Sequence, residues 1–303
     1  MAETTVWMLA GATATGKSDA AQLLAERRGF AILSADSMLV YKGMDIGTAK
    51  PMPADRGDVR YAGIDLVTPG EPFSAGRWLE EARRALSDGG GWIVAGGTGL
   101  YFKALTEGLD AGEADPAVRA KWKAVFETGG IGALREALER MEAGAVGRLG
   151  EDAVNPRRLL RALEVVETGG FVRTAPKPHA RFAVLRIPRE TLRRRIAARV
   201  EAMFRAGLLE ETERLTALYP QWSQTAAGAI GYAEARAVLT GAMKLDEAKE
   251  RIAVRTNQLA KRQETWFRHQ VDPVWIDLAG DEPPDAVAEK VECVWREYGS
   301  NRI

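Results

Sequence analysis

VWMLAGATATGKS, residues 6–18, is the stretch on which the fold turns. Val6 to Ala10 is a short apolar run suited to a buried strand, Gly11 to Ser18 fits the pattern G-x-x-x-x-G-K-[ST], and Ala20, Leu23, Leu24 and Ala25 follow at helical spacing. Strand, glycine loop and helix in that order make a phosphate cradle. The backbone amides of Gly11, Ala12, Thr13, Ala14, Thr15 and Gly16 can turn inward around anionic oxygens, Lys17 supplies a point charge, Ser18 offers a hydroxyl to Mg2+, and the helix N-terminus adds its dipole. A chance match arises in roughly one chain of this length in a hundred, and the flanking strand and helix make it rarer. The stretch is predicted to bind a polyphosphate or pyrophosphate.

Working outward, two more apolar runs, Ala31 to Leu33 and Trp92 to Ala95, end in small or polar residues: Ser34, Ala35 and Asp36 after the first, Gly96, Gly97 and Thr98 after the second. Between them Ser74 is placed to cap an amphipathic helix bearing Trp78, Leu79, Ala82, Ala85 and Leu86, with Glu80 and Arg84 as an i,i+4 pair. Arg181 to Ile187 reads as a returning strand, followed by a helix with Leu192, Ile196, Val200, Met203 and Phe204 facing inward. The last strong helical pattern is Leu245 to Arg268, and the Pro-rich piece from Asp281 to Asp285 reads as a loop. This alternation predicts an α/β protein, a P-loop parallel-sheet core with helices on both faces and ligands beyond the carboxyl ends of the strands. Residues 109–180 differ, with helical patterns separated by glycines and no convincing strand. They are predicted to form a helical insertion between a first part of the core, residues 1–108, and its completion with C-terminal helices, residues 181–303. The best-marked insertion element starts at Asn155 and Pro156, runs through Leu159, Leu163 and Val166, and stops at Gly169.

Composition removes several classes of chemistry. With two His and the single Cys293, a Cys/His zinc site or a Ser-His-Asp triad lacks raw material. No leader pattern and no run of about 18 uncharged apolar residues is present, so a cytoplasmic protein without membrane attachment is expected. Lys plus Arg number 42 against 42 Asp plus Glu, yet the distribution is uneven. Nine cations between Arg173 and Arg199 face one acid, Glu190, and Arg157, Arg158 and Arg161 crowd one helix. Such like-charge pairs cost about 0.2–0.5 kcal/mol each unless an anion sits opposite them, so an RNA phosphate track competes here with a solvated face. Asp36, at a predicted strand end beside the phosphate loop, is a candidate base; a helix cap or turn role, shared with Ser37, is the alternative. Trp92 to Ala95 ends in Gly-Gly-Thr where a P-loop nucleotidase carries Asp, and a small-molecule kinase remains a second reading.

Five blocks then coincide in order: GATATGKS from Gly11, DSMLVYKGMDIGTAKP from Asp36, GGTGLYFKAL from Gly96, RRLLRALEV from Arg157 and QLAKRQETWFR from Gln258 to Arg268. Together they resemble the tRNA dimethylallyltransferase family over residues 6 to 268. The resemblance implies dimethylallyl diphosphate as donor and the anticodon stem-loop of tRNA as partner, with the N6 amine of the adenosine 3′ to the anticodon as acceptor. It implies Asp36 as general base, Thr98 beside the reacting oxygens, and Mg2+ held by Ser18. It further implies tRNA contacts from Asp36, Ser37, Met38, Leu39, Thr98, Arg119, Arg157, Arg158, Leu159, Leu160 and Arg161, with Lys261 and Arg262 as additional cations, and a chain acting as a monomer. Three positions depart from the family pattern: Gly228 and Asn257 stand where Arg is expected, and Asn155 where Asp is frequent. Arg255 is the first candidate to supply the charge missing at Gly228.

Overall fold

The computed structural model describes residues 4–109, 115–172 and 180–301. They divide into two compact units, residues 1–106 with 178–303, and residues 107–177. In chain order the first unit begins with β1 (Thr4–Gly11), α1 (Lys17–Arg28), β2 (Ala31–Ala35), α2 (Pro53–Arg56), β3 (Tyr61–Ala62), α3 (Ala75–Leu86), β4 (Gly90–Gly96) and α4 (Gly99–Glu107). The second holds α5 (Pro116–Met141), α6 (Ala145–Leu149), a 3-10 turn over Gly150–Val154, and α7 (Pro156–Glu167). The chain returns through β5 (Arg181–Arg186), α8 (Arg189–Arg205), α9 (Leu208–Leu218), α10 (Gln224–Ala227), α11 (Tyr232–Leu239), α12 (Leu245–Gln270), β6 (Asp272–Asp277) and α13 (Pro284–Tyr298).

The six strands form one parallel sheet in the order β3-β2-β4-β1-β5-β6. Parallel strands carry helices on both faces and so read as continuous apolar runs; all five residues of β2 are buried. On one face α1 and α13 pack Ala21, Leu24, Val287, Val291 and Trp295 against Leu9, Ile32, Ile93 and Leu185. On the other, Phe102 of α4 meets Phe182 of β5 and Phe267 of α12 edge-on, at 5.4 and 5.9 Å between ring centres. The α/β reading and the phosphate-loop topology agree with this sheet. Ser74 caps α3 by accepting from the Arg77 amide.

Several local expectations change. Arg84 pairs with Glu81 at 2.7 Å rather than with Glu80, because the i,i+3 carboxylate lies nearer its guanidinium. Helix α13 starts inside the stretch taken as a loop: Pro284 occupies its first turn, where a missing N–H costs nothing. Ile196 and Val200 are buried on α8, whereas Met203 and Phe204 are half-buried. Among the described residues, no helix is long and apolar enough to cross a membrane.

The second unit is a helical packet with its own core. Asn155 caps α7 through the Arg157 amide, and Leu159 and Leu163 are fully buried against Leu134, Leu138 and Trp122. A side chain with no exposed surface has no area to offer an RNA, so the direct contact expected of Leu159 is corrected to a core role, and Leu160 packs half-buried beside it. Helix α5 breaks at Gly130, whose φ of 63° is not helical. Leu159→Ala should destabilise this unit by about 2–5 kcal/mol through lost burial and an unfilled cavity. Hydrogen exchange should accelerate in the amides of α5 and α7 while those of β1 and β4 keep their protection, and equal acceleration in both units would contradict separate cores.

Candidate active site

The phosphate loop follows β1, next to the middle of the sheet. Gly16 turns the chain into α1 with φ 91°, and Ala14 adopts φ 64°, an unusual conformation for a residue with a Cβ. The loop is tied internally: Thr15 Oγ1 and Lys17 Nζ donate to the Ala12 carbonyl at 2.9 and 3.2 Å. Burial pushes the Lys17 ammonium down to about 8; Asp36 and Asp19 act against that fall and Arg199 adds to it. Ser18 is exposed on the first turn of α1. Not every loop amide faces inward, since Thr13 N donates to Gln263 Oε1 at 2.9 Å.

Asp36 and Thr98 sit where β2 and β4 end. Register aligns Ala35 with Gly96 and Gly96 with Ala10, so the three strand termini open onto one crevice. Thr98 joins two of them. Its amide donates to the Ala35 carbonyl at 2.9 Å, and its Oγ1 accepts from the Ser37 amide at 2.9 Å and lies 3.3 Å from Ser37 Oγ. One Asp36 oxygen accepts from the Met38 amide at 2.9 Å, which satisfies the turn-forming reading and orients the carboxylate at once. The field of that carboxylate reaches Lys17, Arg199 and Tyr101, the last raised mainly by burial and further by Asp36. The block from Gly96 is glycine-rich because α12 lies against it. A Cβ at Gly99 would stand 2.1 Å from the Trp266 ring, while Gln263 Nε2 donates to the Gly97 carbonyl at 3.0 Å.

The rest of the 36–51 stretch is held from α8, α9 and α11. The buried Glu211 carboxylate accepts from the amides of Asp45 and Ile46, at 3.1–3.2 Å, and from the Tyr232 hydroxyl at 2.5 Å. The same hydroxyl accepts from the Gly47 amide at 3.1 Å, and burial, then Glu211, push its pKa upward. Lys50, also buried, pairs with Asp45 and Asp65 at 2.7 and 2.6 Å.

The cations divide into three groups. Arg119 forks onto buried Glu164 at 2.7 and 3.3 Å, Arg161 approaches the same carboxylate at 3.4 Å, and Arg158 lies 3.7 Å from Asp152. Arg157 is exposed and has no side-chain partner among the described residues. The basic stripe separates: Arg173 and Lys177 lie outside the described residues, Arg186 forks onto Asp277, and Arg189, Arg193 and Arg194 are exposed. Arg195 and Arg199 turn the other way, onto the phosphate loop. Arg195 donates to the Ala14 carbonyl at 3.1 Å; Arg199 donates to Thr13 Oγ1 at 3.4 Å and to the Thr48 carbonyl at 3.1 Å. Arg255 goes elsewhere, pairing with buried Glu234 and donating to the Gly228 carbonyl at 2.8 Å. It therefore steadies the turn at Gly228, with its charge already met by a carboxylate. Sequence reading missed Gln263, Glu211 and Tyr232, and placed Arg195 and Arg199 on the wrong surface. A signal for the last two was available: they are one helical turn apart and flank the apolar Ile196 and Val200.

The sequence profile of the IPP transferase family matches residues 39–270. The chain belongs to this family. It is 41% identical over 293 residues to a tRNA dimethylallyltransferase of Chelativorans sp., spanning 88% of this chain and 96% of the relative. A Thermus thermophilus protein of the same name is 40% identical over 286 residues, spanning 91% and 93%. The crystal structure of a tRNA isopentenylpyrophosphate transferase from Staphylococcus epidermidis superposes with a TM-score of 0.70 at 28% identity, covering 98% of this chain and all of that one. Membership makes the protein a transferase of the prenyl-transferring kind.

Lys17 gives this site a pH signature. A group held near 8 instead of its ordinary 10.5 loses its charge as pH rises through 8, so an anion bound by the ammonium should lose about tenfold in affinity per pH unit above that point. Calorimetric titration with pyrophosphate, compared between wild type and Lys17→Arg, cancels the ligand's own ionisations. The ratio of the two affinities should tilt against wild type above pH 8, and a flat ratio would remove Lys17 from the anion site.

Proposed function

We propose that the protein transfers the dimethylallyl group of dimethylallyl diphosphate to the N6 amine of the adenosine 3′ to the anticodon in tRNA, releasing pyrophosphate. The observation that carries this reading is the joining of Asp36, Ser37 and Thr98 across two strand ends within the electrostatic reach of Lys17. An exocyclic adenine amine is a poor nucleophile. As its nitrogen bonds to the allylic carbon, the carbon–oxygen bond to diphosphate breaks, the electron pair leaves with pyrophosphate, and the amine proton passes to the Asp36 carboxylate. Lys17 and the inward-facing loop amides meet the charge that develops on the leaving group. Thr98, through the Ser37 amide, fixes the direction of Asp36. A base in a loop can be unstacked into such a crevice at a cost of only a few kcal/mol.

Mg2+ suits the residues present. Ser18 offers an exposed hard oxygen at the start of α1, and among the described residues no group of three or more His, Cys, Asp and Glu converges. An ion there would take its remaining ligands from diphosphate and water, an arrangement Mg2+ favours over all-protein cages. When bound, it would neutralise charge on the leaving pyrophosphate.

Incubating the protein with unmodified tRNA, Mg2+ and either dimethylallyl diphosphate or ATP, followed by nucleoside mass spectrometry, tests the reaction. The adenosine should gain one dimethylallyl group with the first donor alone; phosphoryl transfer from ATP would support the kinase alternative. Asp36→Asn should lower turnover by about 10² to 10⁴ while tRNA binding stays nearly unchanged. Near-full turnover at saturating substrates would exclude Asp36 as base. On the insertion, Arg157→Ala should reduce the salt slope of tRNA binding by up to roughly 0.7–0.9, the value of one phosphate contact. The partner of RNA on that helix is not Arg157 if the slope is unchanged.

A further inference from the structure

Cations facing the interior of this fold are commonly paired with carboxylates: buried Lys50 has Asp45 and Asp65, and half-buried Arg255 has Glu234. Arg195 and Arg199, half-buried beside Lys17, have no carboxylate at ion-pair distance among the described residues, and for Arg199 burial lowers the proton affinity while Asp36 and Asp19 oppose that fall. Among the described residues the hydrogen bonds of Arg199 go to neutral oxygens, Thr13 Oγ1 in the phosphate loop and the Thr48 carbonyl in the 36–51 stretch. A guanidinium drawn partly out of water with no counter-charge at ion-pair distance is costly, and an anion arriving beside it offsets that cost. The flat five-donor fork of arginine can hold two loops and still offer an N–H to a phosphate oxygen, which the point charge of lysine cannot. The expected Arg is missing at Gly228, and Arg255 is committed to Glu234.

Resting on the donor reading above, we propose that Arg199 is a ligand of the donor diphosphate that also clamps the acceptor stretch through Thr48, so that one guanidinium couples diphosphate binding to tRNA binding. With diphosphate on its fork, Arg199 is fixed and Thr48 with it; Thr48 Oγ1 in turn donates to the Met44 carbonyl at 2.6 Å, within the stretch that begins at Asp36 and Ser37. Linkage makes the effect reciprocal: each ligand should tighten the other.

The test uses the full chain, Mg2+ and two probes, inorganic pyrophosphate and an unmodified anticodon stem-loop, with wild type, Arg199→Gln and Arg199→Lys. In wild type, saturating pyrophosphate should tighten stem-loop binding about fivefold or more. Arg199→Gln should weaken pyrophosphate binding by tenfold or more and abolish that tightening. Arg199→Lys, which keeps the charge and protects the comparison against misfolding of the neutral variant, should recover pyrophosphate binding to within about tenfold but not the coupling. Unchanged pyrophosphate affinity in Arg199→Gln would overturn the ligand assignment. Full coupling in Arg199→Lys, or none in wild type, would overturn the clamp. If wild type binds no pyrophosphate, the donor reading itself fails, a result distinct from any of these.

Discussion

Positive charge held out of water at the end of the central strands is the constraint around which the rest of the molecule is arranged. Lys17 and Arg199 lie beside one short loop, and each is burdened first by desolvation. Neutral carbonyls and a hydroxyl hold them in place, while carboxylate fields reach them only from a distance. An arrangement of that kind stores free energy that an arriving anion recovers. It also needs no reorganisation when charge develops on a leaving group, which is where preorganised electrostatics accelerates a reaction most. The parallel sheet makes this affordable in structural terms, because the loop, α1 and α8 are anchored by strands buried on both faces.

The acceptor side obeys a complementary rule. Residues 36–51 sink Val40, Tyr41 and Met44 into the core, but they form no regular helix or strand, so their backbone polar groups are met one by one from neighbouring elements. Thr98 takes the Ser37 amide, Glu211 takes the amides of Asp45 and Ile46, Tyr232 takes that of Gly47, Arg199 takes the Thr48 carbonyl, and Lys50 is buried between Asp45 and Asp65. A catalytic or binding group must be held within about 0.5 Å of its productive position, and supporting hydrogen bonds of this density supply that precision.

How much of this was legible beforehand follows from the range of the forces involved. The phosphate loop, the β2 and β4 ends and the α7 cap are local in sequence, and their residues announced them. Strand β6 was hidden because Asp272 and Pro273 open it and its burial is incomplete, so no clean alternation marks it. The Pro-rich entrance to α13 looked like a loop because the same residues serve both. Charge counting along a window failed on α8, where successive arginines face opposite directions: Arg193 and Arg194 go to solvent, Arg195 and Arg199 to the loop. On α5 and α7 it left out an ion pair. Glu164, buried and 45 residues away from Arg119, pairs with a guanidinium that stays exposed, a partner no local window shows. Arg255 was misjudged in the same way, its partner Glu234 lying 21 residues earlier.

The β4 end also differs sterically from that of a P-loop nucleotidase, in keeping with the proposed prenyl donor. A nucleotidase places an acidic side chain at the end of a neighbouring strand to help hold the metal. Here the corresponding end of β4 has no room for one. A Cβ at Gly96 would stand 2.2 Å from the Ala35 carbonyl, and one at Gly97 would stand 2.3 Å from Gln263 Nε2. Neither neighbour can yield without loss, because the first is backbone of β2 and the second holds both Gly97 and the Thr13 amide. The carboxylate whose field does reach the loop, Asp36, comes from the end of β2 instead and is directed by the Met38 amide, with the next residue, Ser37, held by Thr98. With the β4 end closed to an acidic side chain, Asp36 is the carboxylate that acts most strongly on Lys17, in keeping with its proposed role as base toward an amine acceptor.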